Sequence, residues 1–534
     1  MAPRSKTSAP TSRLRAYHSM SSLVIASPTA LSSPPPFVFP GELRRERESS
    51  LFSHTNYRIQ KKYLNKRRTA AFMHQRANQF SEEAIQDLLD TLREGLSSKD
   101  LTGPTVQSIV RSLEMIRSGL DNPDNIDAVI QAGILPLLDD ALNINDASVQ
   151  LNTVWTLCNM ACGDSDQTAL LLRYLPRVSK LIESDKDACL QSQCLWLFAN
   201  IAGDSKAHRD AVLSEVKLAT LKSLIGANST PPLLENLARL IGNIARQGPF
   251  ESDDTALEVL AALMCYPDQC DCMVVSAVCR ALLRLLFNSQ DSHSFRSIGQ
   301  HKVVASLVKH STYVPANLEC TRSCFTEMVK LIAHLLSSED YICQMFIDQG
   351  ALDVLSVVIH EELHQFYYYA CLAIANVFAC GPDQIQHAIN HDLLTAAIQQ
   401  LENGEFREQR EAGIALCSFL AAASKQQVLQ AFNEGLVPPF VRQLRSLDPY
   451  ILYDTLASLF NLMKHAEELQ KQDECLQEML DANAQKYITA LVTHSNEGIA
   501  TLAKHFLNLY LNIHWTNSVQ DAENAQSRPR RETI

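Results

Sequence analysis

The sequence predicts an all-α fold, a superhelical solenoid of stacked three-helix repeats preceded by a disordered arm. Three observations lead there. First, 46% of the 534 residues are hydrophobic and only 17 are glycine, with long Leu/Ala/Gln/Glu-rich runs that favour helix throughout. Second, an asparagine recurs in similar apolar settings at Asn159, Asn200, Asn243, Asn376 and Asn461. The intervals are 41, 43, 133 and 85 residues, close to one, one, three and two periods of about 42. Third, a turn glycine followed by an apolar helix recurs at Gly133-Ile134-Leu135-Pro136, Gly350-Ala351-Leu352-Asp353 and Gly435-Leu436-Val437-Pro438. Proline is tolerated in a first helical turn because no backbone donor is needed there.

Taken in order, residues 1–40 contain no acidic residue, are rich in Ser, Pro and Thr, and include Ser33-Pro34-Pro35-Pro36. Too little apolar surface is present to offset the entropy of ordering, so disorder is expected. The segment shares Arg/Ser richness with mitochondrial transit peptides but lacks a clean amphipathic helix. Residues 41–70 form a basic arm with Arg44, Arg45 and Arg47, then Lys61, Lys62, Lys66, Arg67 and Arg68. A helix that is polar nearly all round does not fold onto its own core and suits an acidic groove. Residues 71–81 read as a linker, residues 82–512 as repeats, and residues 513–534 as a flexible tail. At three helices per 42 residues, the central region makes roughly ten units. Such units bury their apolar faces against neighbours and coil into a superhelix with a long concave side.

Charge divides the chain. Residues 1–70 hold 13 Lys/Arg against 3 Asp/Glu, and the remainder holds 34 against 56. A basic arm on an acidic body can associate within one molecule, or each part can attract its own partner. The acidic body and the scarcity of aromatics among the basic clusters, Tyr63 within residues 61–68, argue against nucleic acid. No apolar run reaches the roughly 18 residues of a membrane span. The 15 cysteines fall mostly within apolar helical patterns without disulfide-style spacing, which fits a reducing, intracellular setting.

Two recurrent asparagines are preceded at i−4 by tryptophan, in Trp155-Thr156-Leu157-Cys158-Asn159 and Trp196-Leu197-Phe198-Ala199-Asn200. That spacing places ring and amide one above the other on one helical face. A core does not need an amide in every repeat, whereas a ladder along a surface does. An extended peptide exposes backbone donors and acceptors, and an Asn amide can satisfy one of each. Tryptophan faces clamp lysine stems and attract their ammonium groups.

The period and these motifs make the chain resemble the importin alpha family, nuclear-import adaptors with ten armadillo repeats behind an importin-beta-binding arm. Asn159-Met160-Ala161-Cys162-Gly163-Asp164-Ser165-Asp166-Gln167-Thr168 is similar to the family's Asn-Ile-Ala-Ser-Gly-Thr-Ser-Glu-Gln-Thr. Asn200-Ile201-Ala202-Gly203-Asp204 repeats the family's Asn-Ile/Val-Ala-Gly-Asp. The resemblance covers about residues 42–512 and implies a non-enzymatic adaptor, without cofactor, moving between cytoplasm and nucleus. Its implied partners are importin beta, cargo proteins with basic localisation signals, and an export factor, with neither nucleic acid nor membrane.

By that resemblance Trp155, Asn159, Gly163, Thr168, Gln193, Trp196, Asn200 and Asp204 belong to a major groove for localisation signals, with Asn236, Arg239 and Asn243 in its next repeat. Asp204 would meet a buried lysine of the signal. Asn376 and Glu411 remain from a minor groove. Arg44, Arg45, Arg47, Lys61, Lys62, Lys66, Arg67 and Arg68 would form the importin-beta-binding and autoinhibitory arm. The departures fall on the clamps. Arg239 stands where the family has its third major-groove Trp, and Arg280 and Arg284 replace a Trp and a Tyr. Lys330 and His334 stand for Arg and Asn, while Leu372, Ile414 and Ser418 replace two Trp and one Asn. The alternative reading is therefore a divergent armadillo scaffold with altered or lost cargo specificity.

An enzymatic reading rests on His360-Glu361-Glu362-Leu363-His364, which matches the zinc-protease pattern His-Glu-x-x-His. In the repeat register it falls at a turn between helices, and no third ligand follows. Cys265, Cys270, Cys272 and Cys279 match no standard zinc spacing. No phosphate-binding glycine loop or nucleophile elbow is present.

Overall fold

The computed structural model describes residues 80–511, apart from 99–100, 102, 185–186, 227–228, 252, 267–270, 289–291 and 312–317. The segment 1–40, the basic arm with Arg44, Arg45, Arg47, Lys61, Lys62, Lys66, Arg67 and Arg68, most of the linker and the tail 513–534 lie outside the described residues. Within them every regular element is helical.

Ten long helices set the architecture, numbered α1 to α10 along the chain. They are α1 (Gly103–Gly119), α2 (Ala147–Met160), α3 (Ala188–Asp204), α4 (Pro231–Arg246) and α5 (Cys272–Asn288). Then follow α6 (Leu318–Leu335), α7 (Tyr367–Phe378), α8 (Phe406–Ala422), α9 (Pro449–Glu468) and α10 (Glu497–Tyr510). Each packs on the next, and one or two shorter α-helices, in places with a 3-10 turn, lie between consecutive members. A single apolar core runs from Ile85 to Leu507 through all of them. This is the all-α armadillo-type solenoid, in which stability comes from neighbour-to-neighbour burial.

Local chemistry explains where the long helices start. Asp146 accepts from the amides of Ser148 and Val149, and Asp187, Asp271, Asp448 and Asn496 do the same for α3, α5, α9 and α10. These side chains satisfy donors that an α-helix leaves open at its N-terminus. The turns before the preceding short helices require left-handed backbone. Gly133 (φ 90°), Gly350 (φ 90°) and Gly435 (φ 82°) supply it, as the sequence led us to expect. Elsewhere the same turn is made by Lys302, Asp392 and Asn483, so a search for glycine alone finds only some of the repeats. Asn and Asp tolerate that region through local hydrogen bonding.

Candidate peptide-binding groove

The recurrent asparagines tie successive long helices together. Asn159 Nδ2 donates to the carbonyl of Arg117 on α1 (3.1 Å) and to Asp121 Oδ1 (3.2 Å). Asn200 Nδ2 donates to the Cys158 carbonyl on α2 (3.2 Å). Asn243 Nδ2 donates to Ala199 on α3 (2.7 Å), and Asn288 to Ala245 on α4. Asn376 repeats the pattern farther along, donating to Ala333 on α6 (2.9 Å). Each amide thus serves the protein first. It caps a carbonyl of the preceding long helix, which fixes both its own orientation and the stagger between repeats. An amide carries two N–H groups and an oxygen, so one such bond leaves hydrogen-bonding capacity for a ligand. At Asn159 both N–H groups are directed at protein acceptors, and its oxygen is what remains.

The aromatic rungs are also set from the preceding helix. The guanidinium of Arg117 lies 3.9 Å from the centre of the Trp155 ring and donates to Asn152 Oδ1 (3.0 Å). One face of Trp155 is therefore already covered by an internal cation. Trp196, like Trp155, is half-buried on the same helical face as its asparagine. Arg117 and Asp121 escaped the sequence reading, although Arg117 lies one period, 42 residues, before Asn159.

The other expected groove residues divide into surface and support. Asp204 is exposed at the end of α3, and its Oδ2 accepts from Ser165 Oγ (2.7 Å) and contacts His208 Nδ1 (2.7 Å). Gly163 makes room for Gln167, whose side chain accepts from the Asp164 amide (2.9 Å) and closes a capping box; a Cβ would lie 1.9 Å from Gln167 Oε1. Thr168 is 1% exposed, and its hydroxyl donates to the Asp164 carbonyl (2.8 Å). Asn236 is 9% exposed and donates to the Ser192 carbonyl (3.1 Å) and hydroxyl (3.0 Å). These three hold the frame of the groove, and the structure does not bring Thr168 or Asn236 to its surface. Gln193 Oε1 is buried without a hydrogen-bond partner.

Arg239 stands on the ladder face of α4, four residues before Asn243, and is 43% exposed. Its guanidinium pairs with Glu235, through Nε at 2.9 Å and through Nη2. The minor-groove remnants are buried: Asn376 is 7% exposed and donates to Ala333, and Glu411 pairs with Arg410 (2.7 Å). Lys330 pairs with Glu327 (3.2 Å) and lies 5.2 Å from the centre of the Tyr369 ring, an internal counterpart of a ligand lysine.

The His-Glu-x-x-His segment does not have the geometry of a zinc site. The helix Ala351–His360 ends at its first residue, Glu362 has φ 49°, and His364 opens a short 3-10 turn. The two histidines therefore share no helical face. They go instead to Asp392 (3.7 Å for His360) and to the Tyr367 ring (4.9 Å for His364).

Comparison with known proteins agrees with this architecture. The armadillo/beta-catenin-like repeat family matches residues 122–162. Importin subunit alpha-1b of Oryza sativa subsp. japonica is 23% identical over 417 residues, covering 75% of each chain. Importin subunit alpha-3 of Arabidopsis thaliana is 25% identical over 509 residues, covering 91% of this chain and 92% of that one. A crystal structure of an engineered protein superimposes with a TM-score of 0.64 at 19% identity, over 82% of this chain and 100% of that chain, which speaks for the fold. Repeat period, ladder and relatives point the same way: the chain is an armadillo-repeat protein, similar along most of its length to importin alpha subunits.

Proposed function

We propose that this protein is a nuclear import adaptor. It binds the basic localisation signal of a cargo protein as an extended peptide along α2 and α3, and it links that cargo to importin beta through the arm at 41–70. Movement between cytoplasm and nucleus, and retrieval by an export factor, belong to the same proposal. The observation that carries it is the pair of consecutive rungs, Trp155/Asn159 and Trp196/Asn200, held in register by amide-to-carbonyl bonds from each helix to the one before. Such a register presents rings and amides at a fixed repeat, as an extended lysine peptide requires. Asp121 and Asp204 place carboxylates beside these two rungs, which favours cations.

Fluorescence anisotropy with a lysine-rich signal peptide tests this. Trp196→Ala combined with Asn200→Ala removes a cation–aromatic contact of about 2 kcal/mol and hydrogen bonds of about 1 kcal/mol each. Affinity should fall roughly a hundredfold with helicity retained. Unaltered affinity in the double variant sinks the adaptor reading. The importin-beta link is tested separately, by co-purification of importin beta with the full chain and not with a chain lacking residues 41–70.

A further inference from the structure

Past α3 the ladder face changes chemistry. Arg246, in the last turn of α4, donates to the Gly203 carbonyl. Arg284 on α5 donates to the Gly242 carbonyl (2.9 Å) and to Oδ1 of the rung residue Asn243 (3.3 Å). Both guanidinium groups lie against glycine backbone. A Cβ at Gly203 would come 3.0 Å from Arg246 Nη2, and one at Gly242 3.2 Å from Arg284 Nη1. Arg280 sits one turn before Arg284, and Arg239 one turn before Asn243.

The nearest carboxylates are already paired, one of them within the cluster itself. Glu235 pairs with Arg239, and Glu327 pairs with Lys330 (3.2 Å). Among the described residues no carboxylate forms an ion pair with Arg280 or Arg284. Desolvation, then the charges of Arg246 and Arg280, push the Arg284 pKa down to about 9, with Glu327 acting in the opposite sense and Arg239 adding to the repulsion. Arg280 and Arg284 are half-buried, and like charges gathered in a partly desolvated site are costly unless an anion joins them. The chain outside residues 1–70 carries 34 Lys/Arg against 56 Asp/Glu, so this concentration of arginine runs against its surroundings.

We propose that the α4–α5 stretch of the ladder face binds carboxylate side chains of an extended peptide, with Arg280 and Arg284 as the principal contacts. Placed on the adaptor reading, on which its basic half rests, this defines a mixed-charge signal. Lysines lie at the Trp155 and Trp196 rungs, and an acidic run lies at the arginine rungs. A peptide fits better than a nucleic acid because the asparagine ladder continues through Asn243 and Asn288: each amide donates to one carbonyl of the preceding helix and keeps a second N–H for a peptide backbone. A polyphosphate longer than the patch would meet Asp204 on one side and the Glu327 region on the other.

The test uses the full chain and fluorescent peptides: paired lysines followed by a glutamate run, the reverse order, each with glutamine in place of glutamate, and a glutamate run without lysines. In one order the glutamate run should tighten binding roughly tenfold over its glutamine control at ~0.1 M salt. That gain should vanish in Arg284→Gln and in Arg280→Gln, with circular dichroism confirming fold, while the lysine-dependent part persists. The lysine-free peptide separates the two readings: if it binds and is released by Arg280→Gln, this site stands even where lysine peptides fail. The proposal is overturned if no order shows a gain, if the gain survives both substitutions, or if a single-stranded RNA binds in its place and is lost in the same variants.

Discussion

At the scale of single residues, the ladder asparagines have a structural duty that constrains the ligand contact proposed for them. Because Asn200 already holds the Cys158 carbonyl, replacing it removes an inter-repeat bond as well as the proposed ligand contact. Arg239 shows the reverse case, a side chain whose charge is met within its own helix. Its pairing with Glu235 means that an incoming lysine faces an ion pair and not a bare cation. Arg239→Trp should therefore do more than relieve repulsion. It restores an aromatic face and frees Glu235, so a lysine-rich peptide should bind tighter by about 1–2 kcal/mol. Titration of the variant checks this; no change in affinity means that Arg239 lies off the peptide's path.

At the scale of helices and turns, much was legible because the period is strict. A repeated amide and a repeated turn glycine revealed the long helices and their common face. The aspartate caps Asp146, Asp187, Asp271 and Asp448 repeat less regularly, yet each is an N-terminal signal readable from residue type. What stayed hidden was burial. Resemblance assigned Thr168 and Asn236 to a groove, whereas both are packed beneath it, because a motif records identity and not exposure. Arg117 over Trp155 was hidden for another reason: no local pattern links residues 38 apart on different helices. The left-handed turns permit a sharp test. A Cβ at Gly435 meets nothing within 4 Å, so Gly435→Ala costs only conformational strain, about 1 kcal/mol. Amide hydrogen exchange across Val437–Arg442 should accelerate by about fivefold. Asn483→Gly, at an equivalent turn, should leave exchange in Ala484–Leu491 unchanged or slower. Unchanged exchange in Gly435→Ala would contradict the assigned turn.

At the scale of the whole molecule, charge organises partners. An arm with 13 Lys/Arg and 3 Asp/Glu in residues 1–70, ending in Lys66-Arg67-Arg68, imitates a basic signal tethered to its own groove. A tethered ligand competes at high effective concentration. Deleting residues 1–70 should raise the affinity for a basic peptide, and the gain should shrink as salt is added. Equal affinities for the two chains at low salt would rule self-inhibition out. The same organisation divides the ladder face itself, with carboxylates beside the two Trp rungs and arginines beyond them. A signal bound across both regions can run in only one direction.

The claim on which the rest depends is that a basic peptide lies across Asn159 and Asn200, and one thiol reports on it. Cys162 is exposed, and its Sγ is 3.9 Å from Asn200 Nδ2. Cys189 and Cys265 are exposed elsewhere, while burial pushes the Cys158 and Cys279 thiols far above the usual range and keeps them unreactive. Alkylation at pH ~8, followed by mass spectrometry, should label Cys162, Cys189 and Cys265 in the unliganded chain. A saturating lysine-rich peptide should slow labelling of Cys162 by about tenfold or more and leave Cys189 and Cys265 unaffected. Labelling of Cys162 that continues at its original rate, with the peptide demonstrably bound, would place the ligand elsewhere and contradict the account.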